Sequence, residues 1–197
     1  MSLVIAVLTG RRPQLLRRTL DSFATNHPDL WGSSIRTVMH NGGDLPTAAI
    51  LDGHQWDDRH TTNRLLPIGE ATTLLTRRAA EHEPDLMLRL EDDWEAEPGG
   101  WWDDAVTLLD GGAAQVRLRK ASEPVSARCM VCRQPGHLHF TFNPTLTYTK
   151  TWTSLLPIVN ERDAMRKFHR QPATQLQPGV FAHIGGDDSL RTNGGKP

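Results

Sequence analysis

The sequence predicts an α/β fold in one domain, with a central sheet whose strands are mostly parallel. Three observations lead to this prediction: a continuous apolar run at 3–10, a helical pattern at 13–26, and a second strand pattern at 34–44. A continuous apolar strand is typical of a sheet covered on both faces. Two strands joined through a helix are expected to pair in parallel by a right-handed crossover. The length of 197 residues fits one domain.

In the first helix apolar residues recur at helical spacing, and Pro13 suits the first turn. The second strand closes in a Gly-Gly turn, and the polar residues 45–65 are expected to be irregular. A second helix is predicted at 69–84, where Pro84 ends it. The third strand, 85–94, alternates its side chains, with Leu86, Leu88 and Leu90 on one face and Met87 and Arg89 on the other.

The second half of the chain is predicted to hold five further elements. They are a short helix between glycine pairs, a strand, a strand or hairpin, a helix ended by Pro172, and a short strand followed by a loop, at 99–112, 113–121, 137–152, 158–172 and 179–191.

Composition and charge argue against several functional classes. The net charge of −1, with His neutral, gives no overall attraction to nucleic acid or membranes. Basic clusters at 11–18 and 116–120 are interpreted as solvated helix and strand faces. No apolar run approaches the ~20 residues of a membrane span. The apolar start lacks the length and basic leader of a signal peptide, so a cytoplasmic protein is expected.

The two cysteines have metal-ligand spacing. Cys129 and Cys132 are followed by His137 and His139, and paired thiols with imidazoles are typical of zinc sites. The fourth cysteine of a zinc knuckle would fall at Phe142, although His139 could replace it. Two interpretations stay open: a structural Zn²⁺ that staples an insertion, and two reduced cysteines in a loop.

Three consecutive acids, Glu91, Asp92 and Asp93, end the third predicted strand. Carboxylates this close repel one another, and burial strengthens the repulsion, so a positive group is expected beside them. The ends of the first two strands, at 9–11 and 40–42, should converge on the same sheet edge, where open α/β sheets bind ligands. Hard carboxylate oxygens suit Mg²⁺ or Mn²⁺. The alternative is a solvated acidic turn.

No GxGxxG motif follows the first strand and no GxxxxGK[ST] motif occurs, so a metal would have to hold any phosphates. The chain resembles the GT-A glycosyltransferases, in particular the small family-2-like members. Four features in order carry the resemblance: "VIAVLTGRRPQLLRRTLDSF", "VMHNGGD", the glycine and helix of "IGEATTLLTRRAAEHEP", and a strand that ends in EDD where the family has its DXD motif.

The resemblance implies a Rossmann-like nucleotide-diphospho-sugar transferase in a single GT-A domain over 1–197. Residues 1–112 would form the nucleotide-sugar-binding half, and residues 113–190 the acceptor and lid half. It implies metal-dependent transfer of a hexosyl or pentosyl group from a nucleotide sugar, foremost a UDP-sugar. The acceptor would be a hydroxyl on a glycan, a protein or a modified DNA base.

The resemblance also implies roles for the acids. Asp93 would bind Mn²⁺ or Mg²⁺ directly, and His183, which precedes a Gly-Gly pair, would be a further metal ligand in a lid. Glu91 or Asp92 would face the ribose or a metal-bound water. Glu91 departs from the family's usual Asp at this position. A satisfied structural histidine is the alternative for His183.

The nucleotide and the acceptor proton would need further residues. Thr9, Arg11 and Asn41 would line the base and ribose pocket, and Arg77 would contact a phosphate or the base unless it is a solvated helix residue. For the general base, Glu161 and Asp163 stand where the family often has an acid before a helix, with Glu161 closer to the pattern and Asp163 the fallback. Acids favoured by the helix dipole are the alternative.

Two other functions compete with this reading. A nucleotidyltransferase would want a glycine-rich first loop with a lysine, and "LTGRRPQ" has one glycine and no lysine. A zinc-containing nucleic-acid-binding module would leave the acidic triplet inert, and its affinity for DNA or RNA would fall steeply with salt.

Overall fold

The computed structural model of the chain describes residues 1–120, 141–142, 144–169 and 171–185. The strands in these ranges are β1 (Leu3–Thr9), β2 (Ile35–His40), β3 (Asp58–Thr61), β4 (Leu86–Glu91), β5 (Trp94–Ala96), β6 (Gln115–Arg117), β7 (Thr145–Tyr148), β8 (Ala173–Gln175) and β9 (Phe181–His183). The helices are α1 (Pro13–Asn26), α2 (Pro28–Ser33), α3 (Leu45–Asp52), α4 (Ile68–Ala80), α5 (Trp102–Asp110), α6 (Thr149–Ser154) and α7 (Glu161–Phe168).

The central sheet has seven strands in the order β3-β2-β1-β4-β7-β6-β8. Strands β3, β2, β1 and β4 are mutually parallel. Strand β7 runs antiparallel to both β4 and β6, and β8 is parallel to β6. Among the described strands of this sheet, β7 alone is reversed, which confirms the prediction of a mostly parallel α/β sheet. Strands β5 and β9 form a separate antiparallel pair.

The sheet is covered on both faces, because alternate residues of its strands enter two different hydrophobic clusters. On β1, Leu3, Ile5 and Val7 join the cluster that contains the buried residues of α1 and α5. The residues between them, Val4, Ala6 and Leu8, join the cluster formed with α4, α6 and α7. Each fully buried Val, Leu or Ile side chain contributes roughly 1.5–3 kcal/mol to folding. None of the described helices has the length and apolar character of a membrane span.

The segment 45–65, expected to be irregular, contains α3 and β3 instead. The side chain of Asp44 caps α3 by accepting a hydrogen bond of 2.9 Å from Thr47 N. Strand β3 is a short polar strand at the sheet edge, beside β2. Neither element shows an apolar repeat long enough to be recognised in the sequence.

The strand or hairpin predicted at 137–152 is wrong for its last part, because residues 149–154 form helix α6. The chain turns here, and its last turn is closed by bonds from Leu155 N to Trp152 O at 3.1 Å and from Leu156 N to Thr153 O at 3.2 Å, which an extended strand cannot form. Helix α7 is also shorter than the predicted 158–172. It begins at Glu161 because the Asn160 side chain caps it, with a 2.9 Å bond from Asp163 N.

Candidate active site at the carboxyl edge of the sheet

The carboxyl ends of β1, β2 and β4 meet at one edge of the sheet, as predicted. Backbone N of Asn41 donates to the carbonyl of Thr9 at 2.9 Å, which joins β2 to β1. The Thr9 hydroxyl donates to Asp92 Oδ2 at 2.8 Å, and Gly10 N donates to the same oxygen at 2.9 Å. The parallel order of the three strands therefore brings residues more than 80 positions apart into direct contact.

Asp92 is wholly buried by these contacts. Its exposed fraction is 0%, and it accepts from Thr9, Gly10 and Arg12. Burial raises the pKa of Asp92, although the Arg12 charge and the hydrogen bonds from Gly10 and Thr9 favour its ionised form. The structure thus engages Asp92, predicted to bind the donor, in tying the end of β4 to the end of β1.

Arg12 is the positive group beside the acids, and the sequence reasoning missed it. Its guanidinium donates to Asp93 Oδ2 at 2.8 Å and forms a second ion pair with Asp92 Oδ1. Burial lowers the pKa of Arg12, but the charges of Asp92 and Asp93 outweigh it, so the pKa is raised. The available signal was position, because Arg12 follows the strand end predicted to face the acids.

The structure brings together the two residues predicted to bind the catalytic metal. Strand β9 pairs with β5 so that His183 lies opposite Trp94, and Ile184 N donates to the carbonyl of Asp93 at 2.9 Å. As a result His183 Nε2 lies 3.4 Å from Asp93 Oδ2. The backbone at Gly185 passes so close that a Cβ there would come within 3.0 Å of both Asp93 Oδ2 and His183 Nε2.

Asp93 has the features of a metal ligand. Its Oδ1 is buried and has no hydrogen-bond partner among the described residues. A carboxylate oxygen suits Mg²⁺ or Mn²⁺, and imidazole nitrogen is a common metal ligand. In the described part of the chain no three His, Cys, Asp or Glu side chains form a group that could hold an ion. A cation at Asp93 and His183 would therefore complete its coordination with water and substrate oxygens.

Glu91 points to the opposite face of the sheet from Asp92. Its Oε1 accepts a 3.3 Å bond from Arg89, which is 0% exposed and also donates to Thr72 Oγ1 at 3.1 Å. The Arg89 guanidinium lies 5.5 Å from the ring of Phe142 and 5.9 Å from that of Trp152. Burial raises the pKa of Glu91 to about 7, although the Arg89 charge opposes this shift.

Glu161, the predicted general base, lies near this buried pair. Its Oε1 accepts bonds from Phe142 N at 3.2 Å and from Thr141 Oγ1 at 3.3 Å. Burial lowers the pKa of Arg89 and raises that of Glu91, and the negative charge of Glu161 opposes the first shift and adds to the second, so the three side chains form one electrostatic group. Residues 91 and 161 are thus brought together by the fold, although 70 positions separate them.

Asp163 has a different setting at the start of α7. Its carboxylate accepts a bond from Lys167, with the two charged atoms 2.9 Å apart, and a 3.3 Å bond from Val159 N. The bond from Lys167 holds the pKa of Asp163 below its ordinary value. This contact pattern is that of an acid that stabilises the first turn of a helix.

Of the predicted nucleotide-binding residues, Arg11 and Asn41 lie at the carboxyl edge of the sheet and Arg77 does not. Arg11 is exposed at the carboxyl edge, where Nη2 donates to the carbonyl of Gly42 at 3.4 Å. The side-chain amide of Asn41 donates to Leu66 O at 3.0 Å and accepts from Leu66 N at 2.8 Å, which fixes the loop after β3. Arg77 is not brought to this edge.

The position of Arg77 follows from the direction of α4. The helix leads into β4, whose first residue pairs with Leu3 at the amino end of β1. Its last turn therefore lies near the amino ends of the strands, where the neighbouring Arg78 pairs with Asp58, the first residue of β3, at 3.2 Å. Arg77 itself is exposed there. The expectation that it contacts the donor is not supported by this placement.

The predicted zinc ligands Cys129, Cys132, His137 and His139 lie outside the described residues. Zinc binding there stays a prediction.

Comparison with known proteins gives matches in structure alone. No protein-family model and no curated sequence matches the chain. The S. aureus TarS fragment 1–349 matches with a TM-score of 0.67 and 10% identity, over 98% of this chain and 63% of that one. The mannosyltransferase PcManGT from Pyrobaculum calidifontis, solved with GDP-Man and Mn²⁺, matches with a TM-score of 0.69 and 12% identity, over 95% and 58%. Both are GT-A nucleotide-diphospho-sugar transferases.

The chain has the GT-A fold. A 4-diphosphocytidyl-2C-methyl-D-erythritol synthase from Anaerococcus prevotii also matches this fold, with a TM-score of 0.59 and 12% identity, over 89% of this chain and 88% of that one. The chain spans less than two thirds of the length of the TarS fragment and of PcManGT. The resemblance to GT-A proteins inferred from the sequence is confirmed at the level of the fold.

Proposed function

We propose that the protein is a divalent-metal-dependent glycosyltransferase that moves a hexosyl or pentosyl group from a nucleotide sugar to an acceptor hydroxyl. The observation that carries the proposal is the Asp93–His183 pair, with its buried unpartnered Oδ1, at the carboxyl edge of a GT-A sheet. Two structural neighbours support the donor class, because TarS was solved with UDP-GlcNAc and PcManGT with GDP-Man and Mn²⁺. A UDP-sugar is our first choice of donor.

Asp93 and His183 would hold Mn²⁺ or Mg²⁺, which when bound would stabilise the negative charge of the nucleoside diphosphate that leaves. The donor half, residues 1–112, supplies the strand ends around this position. Arg11 would contact the nucleotide from the rim, while Thr9 and Asn41 would shape the pocket floor through their bonds to Asp92 and Leu66. Asp92 would act through Thr9 and Gly10, by fixing the loop that they begin.

Glu161 is the general base in this proposal. Its carboxylate would accept the proton of the acceptor hydroxyl as that oxygen attacks the sugar. The backbone N–H of Phe142 and the hydroxyl of Thr141 orient it. Asp163 is the weaker candidate because its bond to Lys167 lowers its pKa and so weakens it as a base. The acceptor half, residues 113–190, would therefore supply the proton acceptor.

The basic clusters bear on the choice of acceptor. Arg18 pairs with Glu95 at 2.7 Å, and Lys120 pairs with Glu97. Arg117 is buried. These contacts reduce the positive charge available to phosphates, so we place a glycan or protein hydroxyl ahead of a modified DNA base. The cytoplasmic location expected from the sequence stays a prediction.

Thermal denaturation tests the proposal. A nucleoside diphosphate with Mn²⁺ should raise the melting temperature, because a ligand that binds the folded state stabilises it. Asp93→Ala should abolish the shift. Asp104→Ala, which removes an exposed acid in the first turn of α5, should leave the shift intact. A screen of nucleotide sugars for Mn²⁺-dependent hydrolysis would then identify the donor. If no nucleotide shifts the wild-type protein, the proposal is rejected.

A nucleotidyltransferase is the second candidate, and the match to the Anaerococcus prevotii synthase favours it, because that match covers 88% of the synthase. The reactions differ in their products. A nucleotidyltransferase would release pyrophosphate from a nucleoside triphosphate and a sugar phosphate, whereas the glycosyltransferase would release a nucleoside diphosphate. The first loop, "LTGRRPQ", lacks a lysine, which favours the glycosyltransferase.

A further inference from the structure

We infer that Arg12 is an exchangeable counter-ion: it neutralises Asp92 and Asp93 while no divalent cation is present, and turns to the donor diphosphate once a cation binds Asp93. The inference rests on the proposed function and names a donor-binding role for a residue outside the predicted site.

The two acids differ in what they would retain if Arg12 left. Asp92 would keep its bonds from Thr9 Oγ1 and Gly10 N, at 2.8 and 2.9 Å. Asp93 would keep the 3.4 Å approach of His183 Nε2 to its Oδ2, and its buried Oδ1 already lacks a partner among the described residues. Asp93 is therefore the carboxylate for which a second cation can replace Arg12.

A divalent cation and the guanidinium cannot both bind Asp93 at full strength. Arg12 Nη1 is 2.8 Å from Asp93 Oδ2, the oxygen that His183 also approaches. Two positive groups on one carboxylate repel each other, so each weakens the binding of the other. This coupling is reciprocal, which means that removing the guanidinium must raise the affinity for the cation.

Arg12 is not sealed from solvent. Its side chain keeps an exposed fraction of 11%, whereas that of Arg89 is 0%, so Arg12 lies at the rim of the site. It precedes α1 and follows the end of β1, so a diphosphate held beside Asp93 would lie within reach. A guanidinium binds phosphate with two parallel N–H donors, and it would lose one ionic partner as it gained another. Arg12 would then weaken the binding of Mn²⁺ alone and strengthen the binding of nucleotide with Mn²⁺.

The first experiment measures Mn²⁺ alone, from the electron paramagnetic resonance signal of free Mn²⁺. Arg12→Gln should bind Mn²⁺ about tenfold more tightly than wild type, the change expected when one competing charge-assisted hydrogen bond is lost. Arg12→Lys keeps the charge without the two parallel N–H donors, so its affinity for Mn²⁺ should fall between those of wild type and Arg12→Gln. The control is Arg18→Gln, which breaks an ion pair of the same helix with Glu95 and should match wild type.

The second experiment measures UDP and GDP binding at saturating Mn²⁺ by calorimetry, where Arg12→Gln should bind about tenfold more weakly than wild type. Opposite changes in the two measurements support the inference, because a purely structural role would weaken both. Equal or weaker Mn²⁺ binding by Arg12→Gln overturns it, while nucleotide binding by wild type would still support the proposed function. If neither wild type nor Arg12→Gln binds Mn²⁺ or nucleotide, the inference and the proposed function are both overturned. If Arg12→Gln does not fold, Arg12→Lys takes its place: tighter binding of Mn²⁺ alone together with weaker binding of nucleotide at saturating Mn²⁺ supports the inference, and any other result overturns it.

Discussion

Two arginines neutralise the acids at the end of β4, and they do so in opposite ways. Arg89 comes from β4 itself, two residues before its partner Glu91, and is wholly buried under Phe142 and Trp152. Arg12 comes from the loop after β1, 80 positions from Asp92, and stays at the rim. The alternation of a strand explains the division, because Glu91 and Asp92 point to opposite faces. Three consecutive acids are tolerated because each face of the sheet supplies its own cation.

The difference indicates which pair is permanent and which can exchange. Arg89 is fully buried between Glu91 and the rings of Phe142 and Trp152, so its removal would take the ion-pair partner from Glu91. Arg12 borders solvent and the proposed donor position, and Asp92 remains hydrogen-bonded without it. We therefore expect substitutions at Arg89 to act on stability and substitutions around Arg12 to act on ligand binding.

The largest effect is expected from Arg89→Leu. Breaking a buried ion pair typically costs about 3–5 kcal/mol, and we expect the low end of this range, because Glu91 is 21% exposed and its pKa of about 7 lets it take up a proton. We expect the free energy of unfolding, measured in urea at neutral pH, to fall by about that amount. The double variant Arg89→Leu, Glu91→Leu should recover a large part of the loss, because it removes the stranded carboxylate. A single variant as stable as wild type would show that the buried pair is not a structural requirement.

A smaller effect separates the two acids that share Arg12. Asp92→Asn should lower the free energy of unfolding by about 2 kcal/mol, because the amide cannot accept from Thr9, Gly10 and Arg12 together. Asp93→Asn should cost less than about 1 kcal/mol, since it also relieves repulsion between neighbouring carboxylates. Ligand binding should show the reverse order. The rise in melting temperature caused by Mn²⁺ with nucleotide should be lost in Asp93→Asn and retained in Asp92→Asn. Loss of the shift in both variants would contradict the division of roles.

The sequence was sufficient for the parallel strands β1, β2 and β4, although not for β3, and for the prediction that the ends of these three strands meet at one edge of the sheet. The apolar runs of β1 and β4 and the helical spacing of α1 depend on local patterns, and strand ends meet wherever parallel strands lie side by side. The position of Asp93 at such an end follows directly. His183 was matched to the site by its order in the chain, and the pairing of β9 with β5 supplies the contact.

The partners of the acids could not be predicted in the same way. Arg12 lies next to Arg11 in a basic cluster, and no periodicity distinguishes the one that pairs with Asp92 and Asp93. The sequence left Arg77 open between a donor contact and a solvated helix residue, and the direction of α4 carries it to the other end of the sheet, where it is exposed. Helix α6 was missed because threonines alternate with larger residues before it, and the burial of Trp152 depends on contacts across the sheet. Each miss involves a contact that only the tertiary fold creates.

The smallest effect is expected at His27, a titratable side chain that is buried without an ion-pair partner among the described residues. Arg12 and Arg89, in contrast, are both paired with carboxylates. His27 packs against Phe23, with ring centres 5.3 Å apart, and its Nε2 lies 3.4 Å from Trp101 Nε1. Burial lowers the pKa of His27, so the folded protein favours the neutral ring. Stability is then complete above the unfolded pKa of about 6.5 and falls below it, until the pH passes the folded pKa. The unfolding free energy should thus decrease as the pH falls below about 6.5. His27→Gln should reduce this decrease, while the exposed His82→Gln should not. If His27→Gln and wild type lose stability equally as the pH falls, protonation of His27 costs the folded protein nothing and the prediction is wrong.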